Sequence, residues 1–276
     1  MINNFANMKE KKEKISMITA YDYYSARLAE EAGIDMILVG DSLGMVFQGQ
    51  ENTLPVTVEE MIYHTKAVKK GAHDSFIVTD LPFMSYQTGV KEALSCAGKI
   101  IKKTGVQAVK LEGGTRVTPQ IKVLVEAGIP VMGHLGLTPQ SVNQMGGFKL
   151  QGSKKKSALK IINDALALEE AGVFSIVLET IPEQLAKMIT DKLTIPTIGI
   201  GAGVECDGQV LVIHDLLGID NEFKPGFVRQ YAELNGIIKE ALSNYIDDVK
   251  MRNFPAAEES FKMDSEVLSA IKEELN

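Results

Sequence analysis

The chain has 276 residues, of which 45% are hydrophobic and 24% are charged, so it can bury a sizeable core as one large α/β domain or as two smaller ones. Its formal net charge of -7 argues against broad binding to nucleic acid or to anionic lipid, because both require basic surface stripes. The expected partners are therefore small molecules or other proteins.

The first fourteen residues carry scattered charges and no apolar core, so they predict a short N-terminal extension (residues 1–14) and not a signal peptide. No later stretch is long and apolar enough to predict a membrane span. Cys96 and Cys206 lie far apart and match no metal-ligand spacing, which indicates a pair of reduced thiols. Together these features predict a cytoplasmic protein.

Eight short apolar runs alternate with amphipathic segments along the chain. The runs begin near Ile15, Met36, Phe76, Ala108, Pro130, Ser175, Pro196 and Val210. Helical spacing appears between them at residues 23–32, 58–70, 90–103, 120–127, 157–171 and 182–191. Such alternation predicts a parallel sheet with helices packed outside it.

Eight strand–helix units in one chain of this size favour a closed (βα)8 TIM barrel, which typically needs ~250 residues, over an open doubly wound sheet. No linker divides the chain, so residues 1–276 are predicted to form a single barrel domain. The seventh unit has only residues 204–209 between its two strands, so its helix must be vestigial. After the eighth strand, residues 227–251 and 265–275 predict two more helices, the second within a C-terminal helical extension at 252–276. This surplus of helix indicates packing on another subunit.

Four of the predicted strands end in an acidic residue, namely Asp41, Asp80, Glu112 and Glu179. Because the carboxyl ends of barrel strands meet at one rim, we expect these acids to converge there and to share a divalent cation. Each acid could instead cap the helix that follows it, but several residues intervene after Asp80 and after Glu112. Oxygen ligands without nearby cysteine or histidine clusters favour Mg²⁺, with Mn²⁺ as the alternative.

Lys110 stands two residues before Glu112, so the strand period places both side chains on the barrel interior while Val109 and Leu111 face the helices. Two interpretations of Lys110 stay open. It balances the charge of the carboxylates, or it binds the carboxylate of an anionic substrate with the Ser42 hydroxyl as a second donor.

Three other features near strand ends also have two interpretations each. His134, at the end of the fifth strand, is equally consistent with a structural hydrogen-bonding group and with a catalytic group that contacts substrate. The glycine-rich turn at 199–203 resembles a phosphate-cradling loop but also suits a plain tight bend. The polar segment 143–153 suits a mobile loop over the barrel mouth or an ordinary surface loop.

Seven segments, in order along the chain, resemble the ketopantoate hydroxymethyltransferase family. They are Val39-Gly-Asp-Ser-Leu-Gly-Met45, Thr53-Leu-Pro-Val-Thr57, Asp80-Leu-Pro-Phe-Met84, Lys110-Leu-Glu-Gly-Gly114, Gly133-His-Leu-Gly-Leu-Thr-Pro-Gln-Ser141, Gly199-Ile-Gly-Ala-Gly203 and Asp207-Gly-Gln-Val-Leu-Val-Ile-His-Asp215. The ordered set is far more specific than any single segment. One departure is Glu259, which stands where the family pattern leads us to expect a histidine before Ser260 and Phe261. This difference bears on C-terminal packing or assembly.

The resemblance implies a (βα)8 barrel of the phosphoenolpyruvate/pyruvate type. It also implies transfer of a hydroxymethyl group from 5,10-methylenetetrahydrofolate to 3-methyl-2-oxobutanoate (2-oxoisovalerate). The product would be ketopantoate (2-dehydropantoate), used in pantothenate and coenzyme A biosynthesis. Members of the family assemble as large homo-oligomers, commonly decamers, so the resemblance implies a homo-oligomer here.

The resemblance further implies roles for particular residues. Asp41 and Asp80 would bind Mg²⁺ beside the ketoacid, and Glu112 would complete the metal site directly or through water. Ser42 and Lys110 would hold the ketoacid.

Glu179 would be the proton acceptor. A carboxylate is too weak a base to remove a proton beside a ketone unless the developing enolate is stabilised, which a metal does as a Lewis acid. We also expect the cation and Lys110 to lower the pKa values of the metal ligands.

Two rival functions are compatible with the same barrel. The first is a Mg²⁺-dependent lyase on the same barrel that cleaves a carbon–carbon or carbon–phosphorus bond, and such lyases place a cysteine acid on a mobile loop. The positions of Cys96 and Cys206 count against it. The second is a catalytically silent ketoacid-binding or assembly protein, and the intact set of acids counts against that function.

Overall fold

The computed structural model describes residues 2–147, 149–220 and 225–276. Its centre is a closed barrel of eight parallel strands in sequential order, in which β1 pairs with both β2 and β8, and this confirms the predicted (βα)8 fold. The strands are β1 (Ile15–Thr19), β2 (Met36–Val39), β3 (Phe76–Asp80), β4 (Ala108–Glu112), β5 (Val131–Gly136), β6 (Ser175–Glu179), β7 (Thr197–Ile200) and β8 (Gly208–Leu211).

The helices outside the barrel include all six that the apolar spacing predicts, each within two residues of its predicted ends. The helices are α1 (Ile2–Lys11), α2 (Tyr23–Glu31), α3 (Leu43–Val46), α4 (Val58–Gly71), α5 (Val90–Thr104), α6 (Thr118–Glu126), α7 (Val142–Met145), α8 (Lys155–Glu170), α9 (Glu183–Lys192), α10 (Ile213–Leu217), α11 (Leu234–Met251) and α12 (Ser265–Glu274). Short 3₁₀ turns lie at Thr115–Val117 and Pro139–Ser141. Residues 201–207, between β7 and β8, contain no helix, as the short connection predicts.

The buried apolar side chains form two layers. An outer layer between strands and helices includes Val109 and Leu111, which therefore face the helices as predicted. An inner layer fills the lower barrel with side chains such as Met36 and Met132. Side chains alternate along β4, so Lys110 and Glu112 point into the barrel interior above this inner layer.

The predicted N-terminal extension is in fact a helix that closes the barrel. In α1, the buried Phe5 ring lies 5.2 Å from the ring of Phe76, the first residue of β3, in an edge-on contact. Lys9 Nζ donates to Asp207 Oδ2 at 2.7 Å and to Thr190 O at 2.9 Å. These contacts place α1 at the N-terminal end of the strands, opposite the rim that carries the acids.

The chain separates into two compact units. The barrel unit extends to Leu216 and includes Pro225–Arg229, and a second unit contains Gln230–Asn276. The predicted helix at 227–251 begins only at Leu234, because Val228 is buried in the barrel unit and Phe227 lies against Gly201. Among the described residues, no helix combines the length and apolarity that crossing a membrane requires.

Candidate active site

The structure places the four predicted acids at the C-terminal rim of the barrel. Asp80, Glu112 and Glu179 are the last residues of β3, β4 and β6, and Asp41 follows β2 by two residues. The side chains of Asp41, Asp80 and Glu112 are buried, whereas that of Glu179 is 16% exposed. The rim therefore holds a buried group of three carboxylates and a fourth that solvent reaches.

Glycine makes the close approach of β2 and β3 possible at this rim. A Cβ atom on Gly40 would lie 2.9 Å from Ser42 Oγ and 3.4 Å from Asp80 Oδ2. Because Gly40 has no side chain, the Asp41 backbone N–H can approach Asp80 Oδ2 and donate to it at 3.0 Å. The Ser42 hydroxyl, which is half-buried, lies 2.8 Å from the hydroxyl of buried Tyr21, so its orientation depends on a residue that sequence reasoning did not single out.

Lys110 lies in the middle of the buried carboxylates. Its Nζ atom is 2.6 Å from Asp80 Oδ1, and neighbouring register positions on β3 and β4 bring the two residues together. Burial acts to lower the pKa of the Lys110 ammonium, but attraction to Asp80, Glu112 and Asp41 outweighs burial and raises that pKa above its ordinary value. Lys110 is therefore a fixed positive charge.

One lysine does not neutralise three carboxylates. Burial, followed by repulsion from Asp80 and Glu112, raises the pKa of Asp41 well above its ordinary value. Burial also raises the pKa of Asp80, even though Lys110 acts against it. Lys110 thus acts in the expected direction on both aspartates, but burial and repulsion outweigh it in the protein by itself, and the effect of the cation stays a prediction. The ionised carboxylates repel one another and are offset only in part by Lys110, and a bound cation would relieve that repulsion.

His134 bridges the buried group and the exposed acid. Its Nδ1 atom lies 3.5 Å from Glu112 Oε1, and its Nε2 atom lies 3.1 Å from Glu179 Oε2. Burial and the charge of Lys110 lower the pKa of His134, but hydrogen bonding to the two glutamates outweighs both and raises it to about 9. The two glutamates therefore favour the protonated form of the buried imidazole that lies between them.

Besides Tyr21, sequence reasoning missed two more buried residues of the site, Tyr86 and Gln140. The Tyr86 hydroxyl accepts from Glu112 N at 3.1 Å and donates to Gln140 Oε1 at 2.8 Å. Gln140 also donates to Asp41 and Glu112. Gln140 lies within a segment that carries the family resemblance, but nothing in its chemistry or position marked it as part of the site.

The other two candidate features have structural explanations. Gly201 has φ +62, and a Cβ on it would lie 2.8 Å from the Phe227 ring, so packing alone requires glycine in the 199–203 turn. The 143–153 segment begins in α7, which ends at Gly146 with φ +69. Phe148, within the segment, lies outside the described residues. A phosphate role for the turn and a covering role for the loop remain predictions.

The donor set suits a hard cation, although the side chains are not arranged around one. In the described part of the chain, no group of three His, Cys, Asp or Glu side chains is close enough to ligate an ion as placed. The oxygens present are carboxylate oxygens, which Mg²⁺ and Mn²⁺ prefer. Gln140 engages Oδ2 of Asp41, and no hydrogen bond from a described residue reaches the Oδ1 atom.

Comparison with known proteins identifies close relatives. A family model described as ketopantoate hydroxymethyltransferase matches residues 1–257. The 3-methyl-2-oxobutanoate hydroxymethyltransferase of Clostridium botulinum (strain Alaska E43 / Type E3) is 56% identical over 270 residues, covering 98% of each chain. The protein of the same name from Carboxydothermus hydrogenoformans is 54% identical over 270 residues, again covering 98% of each.

Solved structures share the fold at low identity. A phosphonopyruvate hydrolase in complex with oxalate and Mg²⁺ has a TM-score of 0.62 at 10% identity, covering 99% of this chain and 95% of the other. A 2,3-dimethylmalate lyase of the PEP mutase/isocitrate lyase superfamily has a TM-score of 0.60 at 16% identity, covering 98% and 93%. At these identities the likeness concerns the fold alone.

Proposed function

The chain belongs to the ketopantoate hydroxymethyltransferase family, and on that premise we propose that its rim carboxylates carry out hydroxymethyl transfer to 3-methyl-2-oxobutanoate in pantothenate biosynthesis. The observation that carries the proposal is the His134 bridge between Glu112 and Glu179. It joins a buried, cation-favouring group to an acid that a substrate can reach. A reaction that removes a proton beside a ketone needs both parts.

Asp41, Asp80 and Glu112 are proposed to hold Mg²⁺, with Mn²⁺ as the alternative. The support is the repulsion among the buried carboxylates, which a cation would relieve, and their all-oxygen donor set. When bound, the cation would act as a Lewis acid toward negative charge that develops on the keto oxygen.

Lys110 and Ser42 are proposed to bind the ketoacid. The ammonium of Lys110 stays charged throughout the physiological range and attracts a substrate carboxylate into the rim. The Ser42 hydroxyl, held by Tyr21, offers a neutral hydrogen bond beside it. A buried charge and an oriented hydroxyl together fix the direction in which the ketoacid enters.

Glu179 is proposed to be the general base. Its side chain is 16% exposed, against 2% for Glu112, so it faces the space that a substrate would fill. The His134 contact engages Oε2 and leaves Oε1 for the proton on C3 of the ketoacid. The nucleophilic C3 carbon would then attack the methylene carbon of 5,10-methylenetetrahydrofolate from the open side of the rim. Water would supply the hydroxyl group, and tetrahydrofolate would leave.

The cysteines give no support to the rival lyase function. Cys96 and Cys206 are both buried. Burial raises the pKa of the Cys96 thiol to about 11 and also raises that of Cys206. Neither thiol is placed to act as an acid on an exposed loop.

Exchange of the C3 proton tests the assignment of the base. Proton NMR of 3-methyl-2-oxobutanoate in D₂O with the enzyme and Mg²⁺ should record loss of the C3 signal, and adding 5,10-methylenetetrahydrofolate should give ketopantoate. Glu179→Gln should abolish the exchange and leave Mg²⁺-dependent ketoacid binding largely intact. Glu183→Gln, which alters an exposed acid at the start of α9, should leave both unchanged. Exchange retained by Glu179→Gln together with lost ketoacid binding would contradict the assignment.

A homo-oligomer, a decamer by family resemblance, is also proposed. The support is a set of exposed apolar side chains in α11 and α12, including Ile238, Leu242, Ile246 and Ile271. Glu259, at the position of the expected histidine, accepts a hydrogen bond from Ala256 N at 2.8 Å. Its effect on assembly stays a prediction, as does the cytoplasmic location.

A further inference from the structure

A buried glutamine, Gln140, connects the three strand ends that carry the proposed metal ligands. It lies in the 3₁₀ turn that follows β5. Its backbone N–H donates to Glu112 Oε2 at 3.0 Å, and its side-chain Nε2 donates to Asp41 Oδ2 at 2.8 Å. The same Nε2 donates to the carbonyl oxygen of Leu81, which follows Asp80, at 2.9 Å. One residue thus contacts the ends of β2, β3 and β4.

The orientation of the Gln140 amide is fixed by its surroundings. The carbonyl oxygen of Leu81 only accepts hydrogen bonds, as Asp41 Oδ2 does when it is ionised, so the NH₂ group must face them. On the other side, Oε1 accepts from the Tyr86 hydroxyl at 2.8 Å and from Gln87 Nε2 at 3.0 Å. A flipped amide would place oxygen against oxygen on one side, so the side chain holds a single arrangement.

We propose that Gln140 is a positioning residue for the cation site, holding the carboxylates of Asp41 and Glu112 beside each other at the rim where Mg²⁺ or Mn²⁺ would bind. The inference rests on the proposed function. These two carboxylates repel each other, and Gln140 holds both without adding charge, Asp41 through its side-chain amide and Glu112 through its backbone N–H. Lys110 differs, because its ammonium neutralises part of the carboxylate charge. Partners that orient metal ligands in this way typically account for about 10–100-fold in metal affinity.

The chain offers a matched control in a second buried glutamine, Gln120. Its Nε2 donates to the backbone oxygen of Tyr86 at 3.2 Å, so it packs beside the same tyrosine. Among the described residues, no carboxylate of the site makes a hydrogen bond with it. Methionine at either position keeps the length of the side chain and removes the amide. The two substitutions therefore differ in their contact with the proposed ligands.

Mn²⁺ binding to the full-length protein, followed by electron paramagnetic resonance of the free ion, tests the inference. Gln140→Met should weaken Mn²⁺ binding by about 10–100-fold, while Gln120→Met should bind Mn²⁺ as the wild type does. Melting temperatures in EDTA should fall for both variants, because each leaves a buried polar group without its partner. The rise in melting temperature on adding Mn²⁺ should shrink only for Gln140→Met.

A second variant, Gln140→Asn, keeps the amide but is one methylene too short to reach Asp41, and it supplies the same test if Gln140→Met does not fold. Unchanged Mn²⁺ affinity in a folded Gln140 variant would overturn the inference and leave the metal site standing. Absence of Mn²⁺ binding by the wild type would overturn the metal site and this inference together. These outcomes separate the failure of one proposal from the failure of the other.

Discussion

The side chains around Lys110 illustrate how a single ammonium stabilises a buried acidic site. Its contact with Asp80 is buried, so removing the lysine leaves a carboxylate without a counter-charge in a region that water does not reach. Breaking a buried pair by deleting one partner costs about 3–5 kcal/mol. By contrast, the ion pair between Lys99 and Glu59 is exposed, so water screens it and it contributes little to stability.

Lys110→Met should therefore lower the free energy of unfolding by about 3–5 kcal/mol in EDTA, and Mg²⁺ should restore part of the loss. Urea unfolding with and without Mg²⁺ measures both effects. Lys99→Met serves as the control and should change little under either condition. Equal losses in the two variants would contradict a charge-balancing role for Lys110.

At the residue scale, the charged part of the site follows from the sequence and the neutral part does not. Asp80, Glu112 and Glu179 end apolar strands, and barrel geometry sends all such ends to one rim. Tyr86 lies in the loop after β3, and its contact with Glu112 N depends on how that loop folds back. Gln140 likewise meets its partners through tertiary contacts between distant loops. Strand pattern carries no information about either residue.

At the element scale, Glu30 of α2 ties down the loop between α4 and β3. Its carboxylate accepts from the backbone N–H groups of His73 at 3.0 Å, Asp74 at 2.9 Å and Ser75 at 2.7 Å, and from the Ser75 hydroxyl at 2.8 Å. Partial burial acts to raise the pKa of Glu30, but these hydrogen bonds outweigh it and lower the pKa to about 2. The ionised carboxylate is thus the form that holds the loop.

Because the folded-state pKa is depressed, the stabilisation from Glu30 is fully present above its ordinary pKa of 4.5 and is lost as pH falls toward about 2. Glu30→Gln should lower the free energy of unfolding by about 1–2 kcal/mol at neutral pH, and the difference from wild type should shrink in acid. Urea unfolding at several pH values across this range measures how the difference in unfolding free energy between the variant and the wild type depends on pH. Glu31→Gln, whose side chain is 63% exposed, is the control. A difference that does not change with pH would contradict the role of the charge.

The strands and main helices were predictable because burial imposes a period on each of them, and the misses occurred where tertiary packing decides. The lysines of α1 obscured the spacing of Ile2, Phe5 and Met8, all of which pack toward the inner layer. β8 begins at Gly208, two residues before its predicted start, because Gly208 pairs with Ile15. A Cβ there would lie 2.4 Å from Ile15 O, so a residue typical of turns is required inside a strand.

At the scale of the whole molecule, the C-terminal helices predict self-association. Apolar side chains of α11 recur along one stripe at Ile238, Leu242, Tyr245 and Val249, and all are exposed. A contiguous apolar face of this kind marks an interaction surface. With the homo-oligomer proposed above, the natural occupant is a second copy of the chain.

Leu242→Glu should therefore shift the protein to smaller species in sedimentation velocity, because it places a charge within the stripe. Ser243→Glu adds the same charge one residue later, outside the stripe, and should leave the sedimentation coefficient unchanged. Identical sedimentation of Leu242→Glu and wild type would contradict assembly through α11.

The pairing of β1 with β8 has a consequence for synthesis on the ribosome. All four rim carboxylates have been synthesised once translation reaches Glu179. The barrel is still open at that point, because the β8 strand that pairs with β1, from Gly208 onward, has not yet been made. A nascent chain would thus carry the acids before it has the enclosure that brings them together. The barrel can therefore close only after β8 has been synthesised and has paired with β1.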